Sequence, residues 1–143
     1  MKQMSSRLSM AVHILCLIGT MPAPTGDVIA GSVNTNPVVI RRIMRMLKQA
    51  GLIQVRPGVG GSKLLRDPDR ITLLDVYHAV DIVEGNSMFG MHEHPNPACP
   101  VGRMIAGAMR REFDEAQRAM EQRLSQTTIR RLMDQVGRER APS

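Results

Sequence analysis

The chain has 143 residues, a length that suits one domain of ordinary size carrying an appendage, and a formal net charge of +6 with 19 Lys or Arg against 13 Asp or Glu. With no Trp, one Tyr and two Phe, its core must be aliphatic and rich in its 12 Met, and the aromatic rings on which single-stranded nucleic acid is usually stacked are missing. Two cysteines make no disulfide framework and no run approaches the roughly 18 apolar residues of a membrane span, so a cytoplasmic protein is expected, with no membrane partner.

Lys2 and Arg7 precede an apolar run that ends in Met-Pro-Ala-Pro, an arrangement close to a signal peptide. Ser9 and His13 interrupt the run and no small-x-small cleavage site follows, so it is read as a folded helix. Ser5 or Ser6 caps it, Leu8, Val12, Leu15 and Ile18 or Gly19 turn to one side, and Pro22 and Pro24 end it after about Met21. Thr25, Gly26 and Asp27 open a short second helix, Val28 to Ser32.

The stretch Asn36 to Gly51 carries the clearest signals. Asn36 is a good N-cap, Pro37 suits the first helical position because its missing N–H would have no partner there, and Gly51 suits the stop. At about 100° per residue, Ile40, Ile43, Met44 and Leu47 form one apolar stripe, while Arg41, Arg42, Arg45 and Lys48 lie round the other side. Two short helices joined by a few polar residues, the second one basic, read as a helix-turn-helix.

Leu52 to Arg56 reads as a strand, Pro57-Gly58-Val59-Gly60-Gly61 as a turn that needs positive φ, and Ser62 to Arg66 as the returning strand. A hairpin directly after a recognition helix is a wing, and Arg56, Lys63 and Arg66 are expected to meet phosphates there. Gly58-x-Gly-Gly-Ser-Lys lacks the Walker spacing and follows the wrong topology for a nucleotide loop.

Thr72 caps a fourth helix reaching about Val83, and the Gly- and Pro-rich segment 84–100 reads as a loop. Val101, Ile105, Met109, Phe113, Ala116, Met120 and Leu124 then recur every three or four residues. They predict a helix roughly 36 Å long, more than a small domain can cover alone, with Ile105, Met109, Phe113, Ala116 and Met120 facing a second subunit. Thr127 or Thr128 caps a last helix, Ile129 to about Arg138, before a frayed tail at 139–143. The expected organisation is a DNA-binding domain at 1–83, a sensor or connecting loop at 84–100 and dimerisation helices at 101–138.

Charge is unevenly spread. Residues 1–66 hold nine basic groups and one acid, Asp27, a balance of +8, and residues 67–143 hold ten basic groups and twelve acids, a balance of −2. The positive field belongs to the half with the basic helix, where a polyanion is the natural partner. Helix-turn-helix docking puts the N-terminal end of the recognition helix nearest the bases, so Val38 is expected at a thymine methyl, Arg41 at guanine, and Arg45 and Lys48 at phosphates.

Taken together, Ile29-Ala30, Asn36-Pro37-x-x-Ile40, Leu47-x-x-Ala50-Gly51-Leu52-Ile53, Arg56 with Gly58-x-Gly60-Gly61, and Ile71-Thr72-Leu73-x-Asp75-Val76 resemble the Rrf-type family of bacterial winged helix-turn-helix regulators. The resemblance spans residues 1 to about 125 and implies a mainly α fold with a small β-hairpin, and a homodimer on double-stranded DNA with each wing in a minor groove. By position it implies base reading by Asn36, Val38 and Arg41 and wing contacts by Arg56, Gly60 and Gly61. The full expected DNA-binding set adds Arg42, Arg45, Lys48, Lys63 and, at the head of the first helix, Ser6 and Arg7.

Members that bind a [2Fe-2S] cluster carry three cysteines in the loop before the long helix; this loop has only Cys99, and no cofactor is expected. Cys16, between Leu15 and Leu17, reads as a small buried hydrophobe. Cys99 precedes Pro100 where peptide dipoles favour an anion, with His92 and His94 near in sequence. Three roles stay open for it: a residue packed in the loop, a redox or electrophile sensor, or a metal ligand with the two histidines. The chain shows no nucleophile motif and no paired carboxylates in a Gly-rich cleft, so no enzyme is expected. A repressor acting on a palindromic operator is the reading that uses most of these features. The alternatives are a metal- or cluster-dependent regulator of the same family, or a helical protein-interaction module.

Overall fold

The computed structural model describes residues 6–56, 61–80 and 95–140. The first three helices are α1 (Ser6–Thr20), α2 (Gly26–Val33) and α3 (Pro37–Gln49). They are followed by a two-stranded hairpin, β1 (Ile53–Arg56) and β2 (Gly61–Leu64), a 3-10 turn at Pro68–Arg70, and α4 (Leu73–Val80), α5 (Pro100–Leu124) and α6 (Ile129–Arg140). The wing tip at 57–60 with Gly58 and Gly60, the end of the expected fourth helix at 81–83, the histidines His92 and His94, and residues 141–143 all lie outside the described residues.

α1 is the centre of the domain, in contact with α2, α3, α4, α6 and β2. A helix with neighbours on several sides buries a wider arc than a one-sided stripe. Ala11, Ile14, Leu15 and Ile18 are the buried residues of α1, whereas Leu8 and Val12, expected on its inner line, pack only partly against the core. On α3 the expected stripe of Ile40, Ile43, Met44 and Leu47 is buried, joined by Met46. Ile71, Val76 and Val80 close the core from the α4 side. Among the described residues the main cluster is built of interlocking Ile, Leu, Val, Met and Ala side chains, with Tyr77 of α4 also buried.

Both ends of α3 and the start of α4 have local chemical causes. The Asn36 Oδ1 accepts from the Val38 N–H at 2.8 Å, and Pro37 follows at the first helical position. At the other end Gly51 takes φ +75°, its N–H reaches the Lys48 carbonyl and the Leu52 N–H reaches the Leu47 carbonyl, both at 3.0 Å. These are the two bonds of a Schellman stop, accompanied by burial of Leu47 and Leu52. Thr72 and Asp75 cap α4 reciprocally: the Asp75 N–H donates to the Thr72 Oγ1 and the Thr72 N–H to the Asp75 carboxylate. Replacing Asn36 by Ala leaves the Val38 N–H without that partner and is expected to lower stability by about 1 kcal/mol, a loss measurable as a shift in the urea midpoint at unchanged slope.

α6, grouped from the sequence with the dimerisation helices, folds back onto α1, and its Ile129 and Met133 enter the main core. The start of α4 and the start of α6 are tied backbone to backbone: the Leu73 N–H donates to Thr127 at 2.9 Å and the Ile129 N–H to Ile71 at 2.8 Å. Arg130 reinforces this join with exposed pairs to Asp67 and Asp69 at 3.8 and 3.6 Å, each weak on its own. α5 behaves differently. Not one of its 25 residues is buried, and among the described elements its main contact is with α4.

Candidate nucleic-acid interface

The antiparallel hairpin pairs Ile53 with Leu64, Gln54 with Lys63, Val55 with Ser62 and Arg56 with Gly61. Alternation puts Ile53 in the core and leaves Gln54 and Lys63 in solvent. The hairpin leans toward α3, and between the two lies a cleft of about 420 Å³. α3 lines it with Arg41, Met44, Arg45 and Lys48, and the hairpin with Val55, Arg56, Gly61 and Ser62. Thr25 and Gly26 at the start of α2 complete the wall. Four cations thus meet around Met44 and Val55, with no acid among the described lining residues.

The ion pairs seen among the described residues join Arg66 to Asp75 and Arg130 to Asp67 and Asp69, and none involves Arg41, Arg42, Arg45, Lys48, Arg56 or Lys63. All six are exposed. Cations gathered without counter-charges raise the local positive potential and attract a polyanion. Arg66, expected on the returning strand, lies beyond β2, 3.5 Å from the Asp75 carboxylate and outside the cleft lining.

The expected DNA-binding residues fall into three groups. Arg41, Arg45, Lys48, Arg56 and Gly61 come together in the cleft. Asn36, Val38 and Arg42 are exposed on α3 outside the cleft lining; Val38 keeps 54% of its surface, unusual for an aliphatic side chain on a folded helix, and the Asn36 Oδ1 is engaged by its cap bond. Ser6 and Arg7 sit at the head of α1, also outside the lining, and Lys63 pairs across from Gln54. Thr25 and Gly26 were not expected here. In the sequence they announce only a helix start, and the Thr25 Oγ1 indeed accepts from the Val28 N–H at 3.3 Å.

Away from the cleft, Cys99 is exposed at the head of α5, and its side chain makes no cap hydrogen bond. The turn before it is tight: the Asn96 Oδ1 accepts from the Ala98 N–H, the Cys99 N–H reaches the Asn96 carbonyl at 3.2 Å, and Gly102 packs where a Cβ would meet that same carbonyl at 2.6 Å. Cys16 is partly buried against the core, and burial pushes its thiol pKa up, which favours the unreactive protonated form. Along α5, Ile105, Met109, Phe113 and Met120 are half-buried and Ala116 is exposed, while Val101 and Met104 keep 67% and 75% of their surface. No described helix is long and apolar enough to cross a membrane.

A recognition helix, a hairpin beside it and a shared cationic cleft define a winged helix-turn-helix regulator. The chain belongs to the Rrf2 family, described as iron-dependent transcriptional regulators, which it matches over residues 4–135. It is similar to YwnA of Bacillus subtilis (strain 168), named provisionally as an HTH-type transcriptional regulator: 45% of residues are identical over 132 positions, covering 92% of this chain and 98% of that one. A solved structure described provisionally as a DNA-binding protein is 42% identical, superposes with a TM-score of 0.74, and shares 90% of this chain and 99% of its own. The global cysteine regulator CymR of B. subtilis has the same fold at 21% identity, with a TM-score of 0.68 over 94% of this chain and 98% of its own. The chain is accordingly a transcriptional regulator and not an enzyme.

Proposed function

We propose that the chain is a transcriptional repressor that binds a palindromic operator as a homodimer, with α3 in the major groove and the wing in the minor groove. The observation that carries this reading is the cleft in which Arg41, Arg45 and Lys48 face Arg56 with no acid among them. On this reading Arg41 in the cleft and Asn36, Val38 and Arg42 outside it read bases, whereas Arg45, Lys48, Arg56, Lys63 and the glycines at 60 and 61 serve the backbone contact, the buried Gly61 by way of its register partner Arg56, with Ser6 and Arg7 as outer contacts. The second subunit packs along Ile105, Met109, Phe113, Ala116 and Met120 of α5, a helix with no buried residue in the single chain. Two copies then present two recognition helices to successive major grooves. The working protein is cytoplasmic.

The family description names iron, and the donor set of this chain does not fit a thiolate-held cluster. Its two cysteines lie on different elements, Cys16 on α1 and Cys99 at the head of α5. The reading adopted is a regulator without cofactor in which Cys99 is the responsive group: oxidation or alkylation of this exposed thiol changes the start of α5 and with it the spacing of the two α3 helices.

A duplex selected by the chain from a random library tests the DNA reading directly. Its affinity is expected to fall steeply as salt rises, since each neutralised phosphate contributes roughly 0.9 to the log–log slope; no bound duplex, or salt-independent binding, overturns it. For the sensor, peroxide or a quinone is expected to release the duplex from the unaltered chain and not from Cys99→Ser. Thiol labelling of the native chain should proceed at Cys99 and reach Cys16 only on unfolding. Equal release from both chains removes Cys99 from the mechanism.

A further inference from the structure

The hairpin does not stand free beside α3; it is seated on the turn between α1 and α2. A Cβ on Gly61 would overlap the carbonyl oxygen of Ala23 and lie 2.6 Å from its carbonyl carbon, so the two backbones touch at a distance only glycine permits. Both residues are in the left-handed region, Gly61 at φ +67° and Ala23 at φ +43°, and Ala23 holds a conformation that alanine rarely adopts. Next to them the Ser62 N–H donates to the Pro24 carbonyl at 3.1 Å, and Ser62 and Pro24 are both buried. Further along β2, the Leu64 side chain comes within 3.3 Å of the place a Gly19 Cβ would occupy on α1.

This seat bears directly on the cationic cleft, because Gly61 is the register partner of Arg56. Arg56 is the hairpin cation of the cleft, and Arg41, Arg45 and Lys48 come from α3 across the gap. The height of Gly61 above Ala23 therefore sets how far Arg56 stands from the α3 cations. We propose that Ala23 and Gly61 are positioning residues for DNA binding: their backbone contact fixes the spacing at which wing and recognition helix engage one duplex, and it acts through Arg56. The proposal rests on the DNA-binding reading above and adds the turn 21–24, none of whose residues is among the proposed DNA contacts.

A residue that acts through another is exposed by non-additive effects. The chain, Arg56→Ala, Gly61→Ala and the double variant are titrated against the duplex selected by the unaltered chain, with thermal melting of each. Arg56→Ala and Gly61→Ala are each expected to weaken binding about tenfold, and the double variant to stay within about threefold of the weaker single one. Independent losses that multiply to about a hundredfold overturn the proposal, as does an Arg56→Ala chain that binds like the unaltered one. If Gly61→Ala melts too low to titrate, Ala23→Gly takes its place. Glycine accepts φ +43° without strain and loosens the seat, so binding is expected to weaken several-fold in the unaltered background and not at all on top of Arg56→Ala. Equal losses in both backgrounds, or none in either, overturn it. Failure of the unaltered chain to select any duplex counts against the DNA reading itself and is distinguishable from all of these outcomes.

Discussion

Met109→Glu combined with Met120→Glu is expected to leave a folded monomer whose affinity for the palindromic duplex is lower by a factor on the order of a hundred. The two residues are eleven positions apart on α5, close to three full turns, and lie on one line of the helix. α5 has no buried residue in the single chain, so its half-covered Ile105, Met109, Phe113 and Met120 pack fully only when another surface is laid against them. A carboxylate on that line would be desolvated in the pair at a cost far above that of an exposed position. The core of α1, α3, α4 and α6 contains neither residue, and the circular dichroism and melting of the monomer should match those of the parent. Two linked half-sites gain their joint affinity from effective concentration, which the monomer lacks, so binding to a single half-site should change little. Retention of a dimeric mass by light scattering would remove α5 as the interface.

Arg41→Ala is expected to act on discrimination more than on binding as such. Arg41 stands one turn into α3, exposed, where α3 also lines the cleft, and a bidentate Arg–guanine pair distinguishes right from wrong base by about 1–3 kcal/mol. The ratio of affinities for selected and random duplexes should fall by about 5- to 150-fold accordingly. Lys63→Ala is the contrasting case. Lys63 is exposed on β2 opposite Gln54, away from α3, and a phosphate contact there supports every sequence alike. Its removal should weaken both duplexes equally and lower the salt slope by about one unit. An unchanged specificity ratio for Arg41→Ala would assign Arg41 to the phosphates with Arg45 and Lys48.

Both variants change residues that the sequence itself marks, because the information lies in short-range chemistry. Asn36-Pro37 and Gly51-Leu52 bracket α3 through bonds spanning a few residues, and the structure shows the cap at 2.8 Å and the Schellman stop at 3.0 Å. The capping pair of Thr72 and Asp75, the apolar stripe of α3 and the long period of α5 are local in the same sense. Where the reading fell short, the cause was a distant neighbour. The inner face of α1 was drawn as one line through Leu8 and Val12, but five packing partners surround that helix and bury Ala11 and Ile14. Arg66, read as the end of the returning strand, falls past β2, where Asp75 lies beside it.

The amino-acid order by itself determined the helices, their caps, the basic face and the presence of a wing, since each follows from side-chain periodicity, backbone preference and charge within a window of one element. The return of α6 to the α1 core, the grouping of Thr25 and Gly26 with Arg41 and Arg56 around one cleft, and the seat of Gly61 on Ala23 come instead from packing between elements. Those arrangements depend on how elements far apart in the chain exclude water and fit each other's shapes. Ala23 and Gly61 stand 38 positions apart, and the sequence marks their contact only by a glycine where a Cβ would strike the Ala23 carbonyl.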